Sequence, residues 1–180
     1  MQELKFVKID QKPSSGECCG SSGPSAASTC CPLPSKTQSF VSGSVATVVG
    51  LIPKISTAWT SADTWGMIRS RTGAYRMRYA VDPGLYAVGD PTADSDVFVS
   101  ANYKLSFDIL RRSLATMNAW VLVLDTKSIN VWCAAGKGTF GTDELVNRVA
   151  SARLSEVVTH RRLILPQLGA VGVNAADVRK

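Results

Sequence analysis

The sequence predicts an α/β domain, a mostly parallel sheet flanked by helices, preceded by a disordered tail. Three observations predict it. Short, fully apolar runs such as Ala119-Trp120-Val121-Leu122-Val123-Leu124 are too hydrophobic to be half-exposed strands. Those runs alternate with segments of helical spacing across short connections, as in a sheet wrapped by helices. Residues 11 to about 38 are dominated by Ser, Gly and Pro and hold almost nothing apolar, so they cannot offset their own ordering entropy. The expected division is a tail over 1–38 and an α/β domain over 39–180.

Ordered structure is expected from near Phe40. Residues 57 to 72 carry Trp59, Trp65, Met67 and Ile68, with Asp63 as a helix N-cap and Gly73 as a stop. Gly84 to Val88 reads as a short apolar strand, Gly89-Asp90-Pro91 as a turn, and Val97 to Ser100 as a buried strand. Leu105, Ile109, Leu110 and Leu114 recur at helical spacing, which predicts a helix over Lys104 to Ala115. Ala119 to Leu124 is the next strand. Asn130 is a suitable N-cap for one helical turn, Val131 to Gly136. Asp143 to Ala152 reads as a helix with Thr142 as N-cap and Leu145, Val146 and Val149 on one face. Leu163 to Leu165 is a strand that Pro166 ends. Ala170 to Val173 reads as one more short strand, and Asn174 as the cap of a final helix.

The bulk numbers narrow the function. One domain and a tail fit in 180 residues, and a 45 % hydrophobic fraction can build a real core. A formal charge of +6 permits an anionic partner. Yet the basic residues are scattered: Arg69, Arg71, Arg76 and Arg78, then the pairs Arg111-Arg112 and Arg161-Arg162. None is interleaved with aromatics, which argues against nucleic-acid binding. No apolar run approaches the roughly 18 residues that a bilayer span requires. The short, mixed start lacks the apolar core of a secretory signal, so a reducing compartment is expected, in which cysteines bind metals or react.

In parallel sheets, ligands bind outside the carboxyl ends of the strands. Three such ends stand out: Ala101-Asn102-Tyr103, Asp125-Thr126 and Pro166-Gln167. The run Asn130-Val131-Trp132-Cys133-Ala134-Ala135-Gly136-Lys137 follows the second of them. Cys133 would sit early in its helical turn, and a helix N-terminus favours the thiolate form of a cysteine. A thiolate is a soft donor suited to a soft metal. The competing reading is plainer: a lone cysteine behind a strand is commonly a small buried hydrophobe. Gly136, Gly138 and Gly141 suggest backbone brought close to something bulky. Gly136-Lys137-Gly138-Thr139 mimics part of a phosphate loop but lacks the earlier glycine and the hydroxyl residue after lysine, which excludes nucleotide hydrolysis. His160 as the single histidine and the lack of a Cys-x-x-Cys argue against structural zinc.

Residues 130 to 137, continuing through Gly138-Thr139-Phe140-Gly141-Thr142, resemble the cap-helix signature of the HgcA family of mercury-methylating corrinoid proteins. That family is related to the corrinoid-binding large subunit of the acetyl-CoA pathway's corrinoid iron-sulfur protein. Pro83 to Gly89, Ala101 to Asp108 and Leu165 to Ala170 agree, so the resemblance covers about residues 55 to 180. It implies a Rossmann-like domain holding a base-off, cobalamin-type corrinoid, with Cys133 as the lower axial ligand of cobalt. It implies a methyl group received from a folate-dependent donor enzyme and passed to Hg(II), and a ferredoxin-like iron-sulfur protein as electron donor. Within the run, Asn130, Val131, Trp132, Ala134, Ala135, Gly136 and Lys137 would contact the cofactor. Trp132 and Val131 would either wall the ring or pack the cap. Lys137 would either pair with a corrinoid phosphate or carboxamide oxygen or remain solvated. Asn102, Tyr103, Lys104 and Gln167, at the strand ends, are further contact candidates.

The tail pairs Cys18-Cys19 and Cys30-Cys31 either have no function or capture a soft cation such as Hg(II). They differ from the spaced four-cysteine iron-sulfur motif of the acetyl-CoA pathway subunit, and the chain has no room for that subunit's barrel domain. On those grounds mercury is the expected acceptor. The resemblance also implies further α/β structure and transmembrane helices beyond Lys180, so the chain is expected to be a soluble, cytoplasmic-side fragment of an inner-membrane protein. Two other readings stay open: a corrinoid methyl carrier of the acetyl-CoA pathway, and a non-catalytic cobalamin- or soft-metal-binding module.

Overall fold

A computed structural model describes residues 38–71 and 79–178 and the backbone of 2–5. The cysteine pairs at 18–19 and 30–31, and the expected helix stop Gly73, lie outside the described residues. The elements run β1 (Gln2–Lys5), β2 (Val41–Thr47), β3 (Gly50–Ile55), α1 (Ser61–Arg71), β4 (Gly84–Val88), β5 (Val97–Ala101), α2 (Lys104–Ser113), β6 (Ala119–Leu124), α3 (Val131–Gly136), α4 (Thr142–Ser151), α5 (Leu154–Val157), β7 (Arg162–Leu165), α6 (Gln167–Ala170) and α7 (Ala175–Val178). β1 falls inside the first 38 residues and pairs antiparallel with β7.

The strands form one mixed sheet in the order β1-β7-β5-β6-β4-β3-β2. At its centre β6, β5 and β7 are parallel, so their carboxyl ends, Leu124, Ala101 and Leu165, share one edge. Beyond β6 the direction reverses: β4 runs antiparallel to β6, β3 parallel to β4, and β2 folds back on β3 as a hairpin. The hairpin was not legible in the sequence, because Ser42, Gly43, Ser44 and Pro53 break the apolar signal of its strands.

Alternate residues of the buried strands build two cores, as the period of two requires. Trp120, Leu122 and Leu124 of β6 join Val97, Val99, Leu163 and Leu165 on one face, under Ala134 of α3, Leu145 of α4 and Leu154 of α5. Ala119, Val121 and Val123 join Tyr86 and Phe98 on the other, under Phe107 and Leu114 of α2. The β5–α2–β6 crossover therefore covers one face, and the long β6–α3–α4–α5–β7 connection covers the other. The chain steps from β5 outward to β6, then back across β5 to β7. The crevice between β5 and β7 is thus a topological switch point, where doubly wound sheets bind ligands.

Several helix ends differ from expectation. Thr60, not Asp63, starts α1: Thr60 Oγ1 accepts from the Asp63 amide at 3.2 Å, while Asp63 Oδ2 accepts from the Thr60 amide at 2.9 Å, a reciprocal capping box. Gly141 is the N-cap of α4, and Thr142 Oγ1 instead accepts from the amide of Asn174 at 2.9 Å. The strand expected over Ala170 to Val173 is the end of α6 and a turn. Close packing explains it: a Cβ on Gly169 would lie 2.7 Å from the Phe140 ring, and one on Gly172 would lie 2.2 Å from the Phe140 carbonyl oxygen. These glycines bring the α6 segment onto Phe140 and α3, and leave no strand partner. Asn174 does cap α7, accepting from the Ala176 amide at 3.0 Å.

Candidate functional site

The site is built from the loop after β6. Asn102, at the end of β5, is buried, and its side chain holds that loop. Its Oδ1 accepts from the amide of Thr126 at 3.1 Å, the hydroxyl of Thr126 at 2.9 Å and the amide of Ser128 at 3.0 Å. Its Nδ2 donates to Asp125 Oδ1 at 3.2 Å. From the other side, Glu144 of α4 accepts from the Asp125 amide at 2.8 Å while binding Arg148. Burial pushes the Asp125 carboxyl upward, but the Lys127 ammonium and amide outweigh it and hold it below the usual carboxylate range. Lys127 and Ser128 both have left-handed backbone, φ 57° and 59°. That costs roughly 1–2 kcal/mol for each non-glycine residue, so the fixed side-chain partners are what keep the loop in this shape.

The loop delivers the chain into α3. Asn130 is its N-cap, with Oδ1 accepting from the Cys133 amide at 2.8 Å. Ala134 faces the core, fully buried, and Val131 packs on the same core. Cys133 is therefore turned outward: the thiol is exposed. The reading of Cys133 as a small buried hydrophobe is thereby excluded. Trp132 beside it is 67 % exposed, so of the two roles open to it, packing the cap against the sheet falls to Val131. Lys137 is exposed at the C-cap of α3, and Gly138 turns the chain away with φ 76°.

α3 packs against α6 and reaches β5, so it lies over the β5–β7 crevice. On the α6 segment Leu168 is 59 % and Val171 85 % exposed. Neither was singled out from the sequence, although a Leu-x-x-Val pair in a short segment after a strand was there to be read. The Cys133 thiol and the Trp132 indole are thus exposed on α3, and Leu168 and Val171 are exposed on the segment that packs against it.

The strand-end candidates divide. Asn102 lies under the loop, and its polar atoms are engaged there. Tyr103 is buried in the first core. Gln167 is exposed at the end of β7. Lys104 is corrected outright: it is 6 % exposed, with Nζ donating to Asp108 at 2.6 Å and lying 3.5 Å from Asp63, away from α3. Arg111 completes this network, 2.8 Å from Asp63 and 2.7 Å from Asp108, and donates to the carbonyls of Ser56 and Ala58. A separate groove of about 430 Å³ opens at the opposite edge of the sheet, between Lys54, Ser56, Gly89 and Asn118. It shares no residue with the Cys133 surface.

Residues 68–177 match the family described as CO dehydrogenase/acetyl-CoA synthase delta subunit. Among curated relatives, the gamma subunit of the acetyl-CoA decarbonylase/synthase complex of Archaeoglobus fulgidus is 32 % identical over 92 residues, 50 % of this chain and 20 % of that protein. The Methanopyrus kandleri gamma subunit is 32 % identical over 88 residues, 48 % of this chain and 19 % of its own. The gamma 2 subunit of Methanosarcina mazei is 33 % identical over 99 residues, 53 % of this chain and 21 % of its own. The match spans about a fifth of the length of these relatives.

Proposed function

The chain belongs to the CO dehydrogenase/acetyl-CoA synthase delta subunit family, and on that premise we propose that it is a corrinoid-binding domain of a methyl-transfer protein, with Cys133 as the residue that would hold the cobalt. The observation that carries the proposal is the exposed Cys133 thiol on α3, a helix that packs beside β5 and α6. When bound, the corrinoid supplies a cobalt centre that takes up and releases a methyl group; the protein supplies ligand, orientation and access.

The chain's own residues have separable tasks. Asn130 closes the first turn of α3 and sets the height of the thiol. Ala134 anchors α3 to the sheet. Trp132, Leu168 and Val171 offer apolar area to the ring and shield it from water. Lys137 is placed to pair with a phosphate or carboxamide oxygen of the cofactor, and Gln167 to meet its edge. The cofactor expected at such a site is of the base-off type, which would leave cobalt accessible to the Cys133 thiolate.

The acceptor is the finer question. The relatives are subunits of the acetyl-CoA decarbonylase/synthase complex, which supports work inside a multi-subunit assembly; the role proposed for this chain there is that of a methyl carrier, with a methyl-donating enzyme and an iron-sulfur reductant as the partners its chemistry would need. Because the match spans only a fifth of those proteins, the lack of a barrel domain in this chain does not count against that reading. A second acceptor, Hg(II), rests on Cys133 itself. A thiolate at Cys133 would donate electron density to a bound cobalt, which would suit an electrophilic acceptor. Among the described residues no helix is long and apolar enough to cross a membrane, so the proposed membrane attachment has no support in them.

The experiment loads the full chain with methylcobalamin and adds Hg(II), with free methylcobalamin as reference. Under the carrier reading, methylmercury forms no faster than from the free cofactor. Under the mercury reading it forms at least tenfold faster, and Cys133→Ala removes the acceleration. Failure to bind cobalamin at all would overturn both.

A further inference from the structure

We propose that Asn102 is a positioning residue for Cys133: it fixes the loop that sets where the thiol stands, without touching the cofactor itself. The inference deepens the reading of Cys133 as a cobalt ligand and rests on it.

Asn102 sits at the end of β5, a strand buried on both faces, so it is a fixed point. Its one amide group contacts three of the four residues from 125 to 128. The carbonyl oxygen gathers two backbone amides and a hydroxyl, and the amide nitrogen binds Asp125. Thr126 then passes the constraint on: Asn102 holds its amide, and its hydroxyl, whose single proton serves one acceptor at a time, reaches the carbonyl oxygen of Ile129 at 2.7 Å, one residue before the N-cap of α3. Asn130 hands it to the amide of Cys133. Hydrogen bonds and the Ile129–Asn130 peptide bond thus connect the sheet to the thiol-bearing residue. Two consecutive left-handed residues, Lys127 and Ser128, lie inside that connection. Without Asn102, no described contact gathers the amides of Thr126 and Ser128, and the left-handed pair keeps only the bonds of Lys127 to Asp125.

The side-chain chemistry is specific. Only an amide provides an acceptor for the amides of Thr126 and Ser128 together with a donor for Asp125. Aspartate would keep the acceptor and lose the donor, placing two carboxylates side by side. The structure therefore ranks the variants: Asn102→Asp retains part of the positioning, Asn102→Ala none.

The test uses the full chain with Cys18, Cys19, Cys30 and Cys31 replaced by Ser, so that Cys133 is the one thiol. In this background Asn102→Ala, Asn102→Asp and Thr126→Val are compared by thermal melting, by cobalamin affinity, by the absorption band of thiolate on cobalt, and, without cofactor, by the rate at which Cys133 reacts with a disulfide reagent. Asn102→Ala is expected to bind cobalamin within about threefold of the parent while losing at least tenfold of the thiolate-ligated fraction. Its thiol reactivity without cofactor should change severalfold. Thr126→Val, which removes one hydroxyl and keeps the volume, should shift both readouts in the same direction by a smaller factor. It serves as the test if Asn102→Ala does not melt cooperatively. Parent-like ligation and thiol reactivity in the folded variants would overturn the proposal. If the parent shows no thiolate band, the cobalt assignment fails, and the cofactor-free thiol rate alone then decides on Asn102.

Discussion

Asn102 and Lys104 stand two residues apart at the end of β5 and serve opposite faces of the sheet. Lys104 turns into a buried network with Asp63, Asp108 and Arg111, joining α1 to α2. Asn102 turns under the loop that presents Cys133. On the first side charge is buried and matched, two carboxylates against two cations, and no reactive group is left at the surface. On the second the polar groups lie underneath, while a thiol, an indole and aliphatic side chains remain exposed on top. A cluster that serves stability satisfies itself; a surface built for a ligand is left unsatisfied until the ligand arrives. The contrast also shows how little chain separates them: one turn of backbone after one strand decides which face each residue supplies.

The largest stability effect belongs on the network side. Asp108 accepts from both Lys104 and Arg111, so Asp108→Asn leaves two buried cations short of a partner, and its cost is expected to be about 3–5 kcal/mol. Urea unfolding measures it. A cost below about 1 kcal/mol would show that the network is not the matched cluster described.

Acid should unfold the same region next. Burial pushes the Asp63 carboxyl up, but hydrogen bonds from Thr60 and Arg111 outweigh it and hold the group at about 2, against an ordinary 3.8. A depressed carboxylate stabilises the fold above its unfolded value and loses that contribution as pH falls. Stability should therefore decline between about pH 4 and pH 2, by on the order of 2 kcal/mol from this group. Asp63→Asn should flatten that part of the pH profile while lowering stability at neutral pH. An unchanged profile would contradict the assignment.

On the other side the expected stability effect is the smallest. Cys133 is exposed and packs nothing in the core, so Cys133→Ala should change unfolding free energy by no more than about 0.5 kcal/mol. A large loss would mean that the thiol is structural, and the contrast between the two regions would collapse.

The sequence carried most of the site's edge and little of what holds it. The apolar runs at β5, β6 and β7 are intrinsic to their strands, and α3 begins and ends where Asn130 and Gly136 place it. Lys104, Asp108 and Arg111 show helical spacing on paper, but their burial depends on Asp63, which α1 brings from a separate element. The sequence alone therefore left Lys104 as a ligand candidate. Asn102 was read as a contact because it ends a strand; its true partners become neighbours only when the loop folds back over it. The α6 segment was taken for a strand because its apolar residues say nothing of the close approach that Gly169 and Gly172 permit.

The proposed role of Cys133 as the residue that holds cobalt is open to an absorption titration of the full chain with cobalamin, repeated with Cys133→Ala. A thiolate-on-cobalt spectrum is expected in the parent and should disappear in the variant while the protein remains folded. Cobalamin binding with the same spectrum in both proteins would contradict that role.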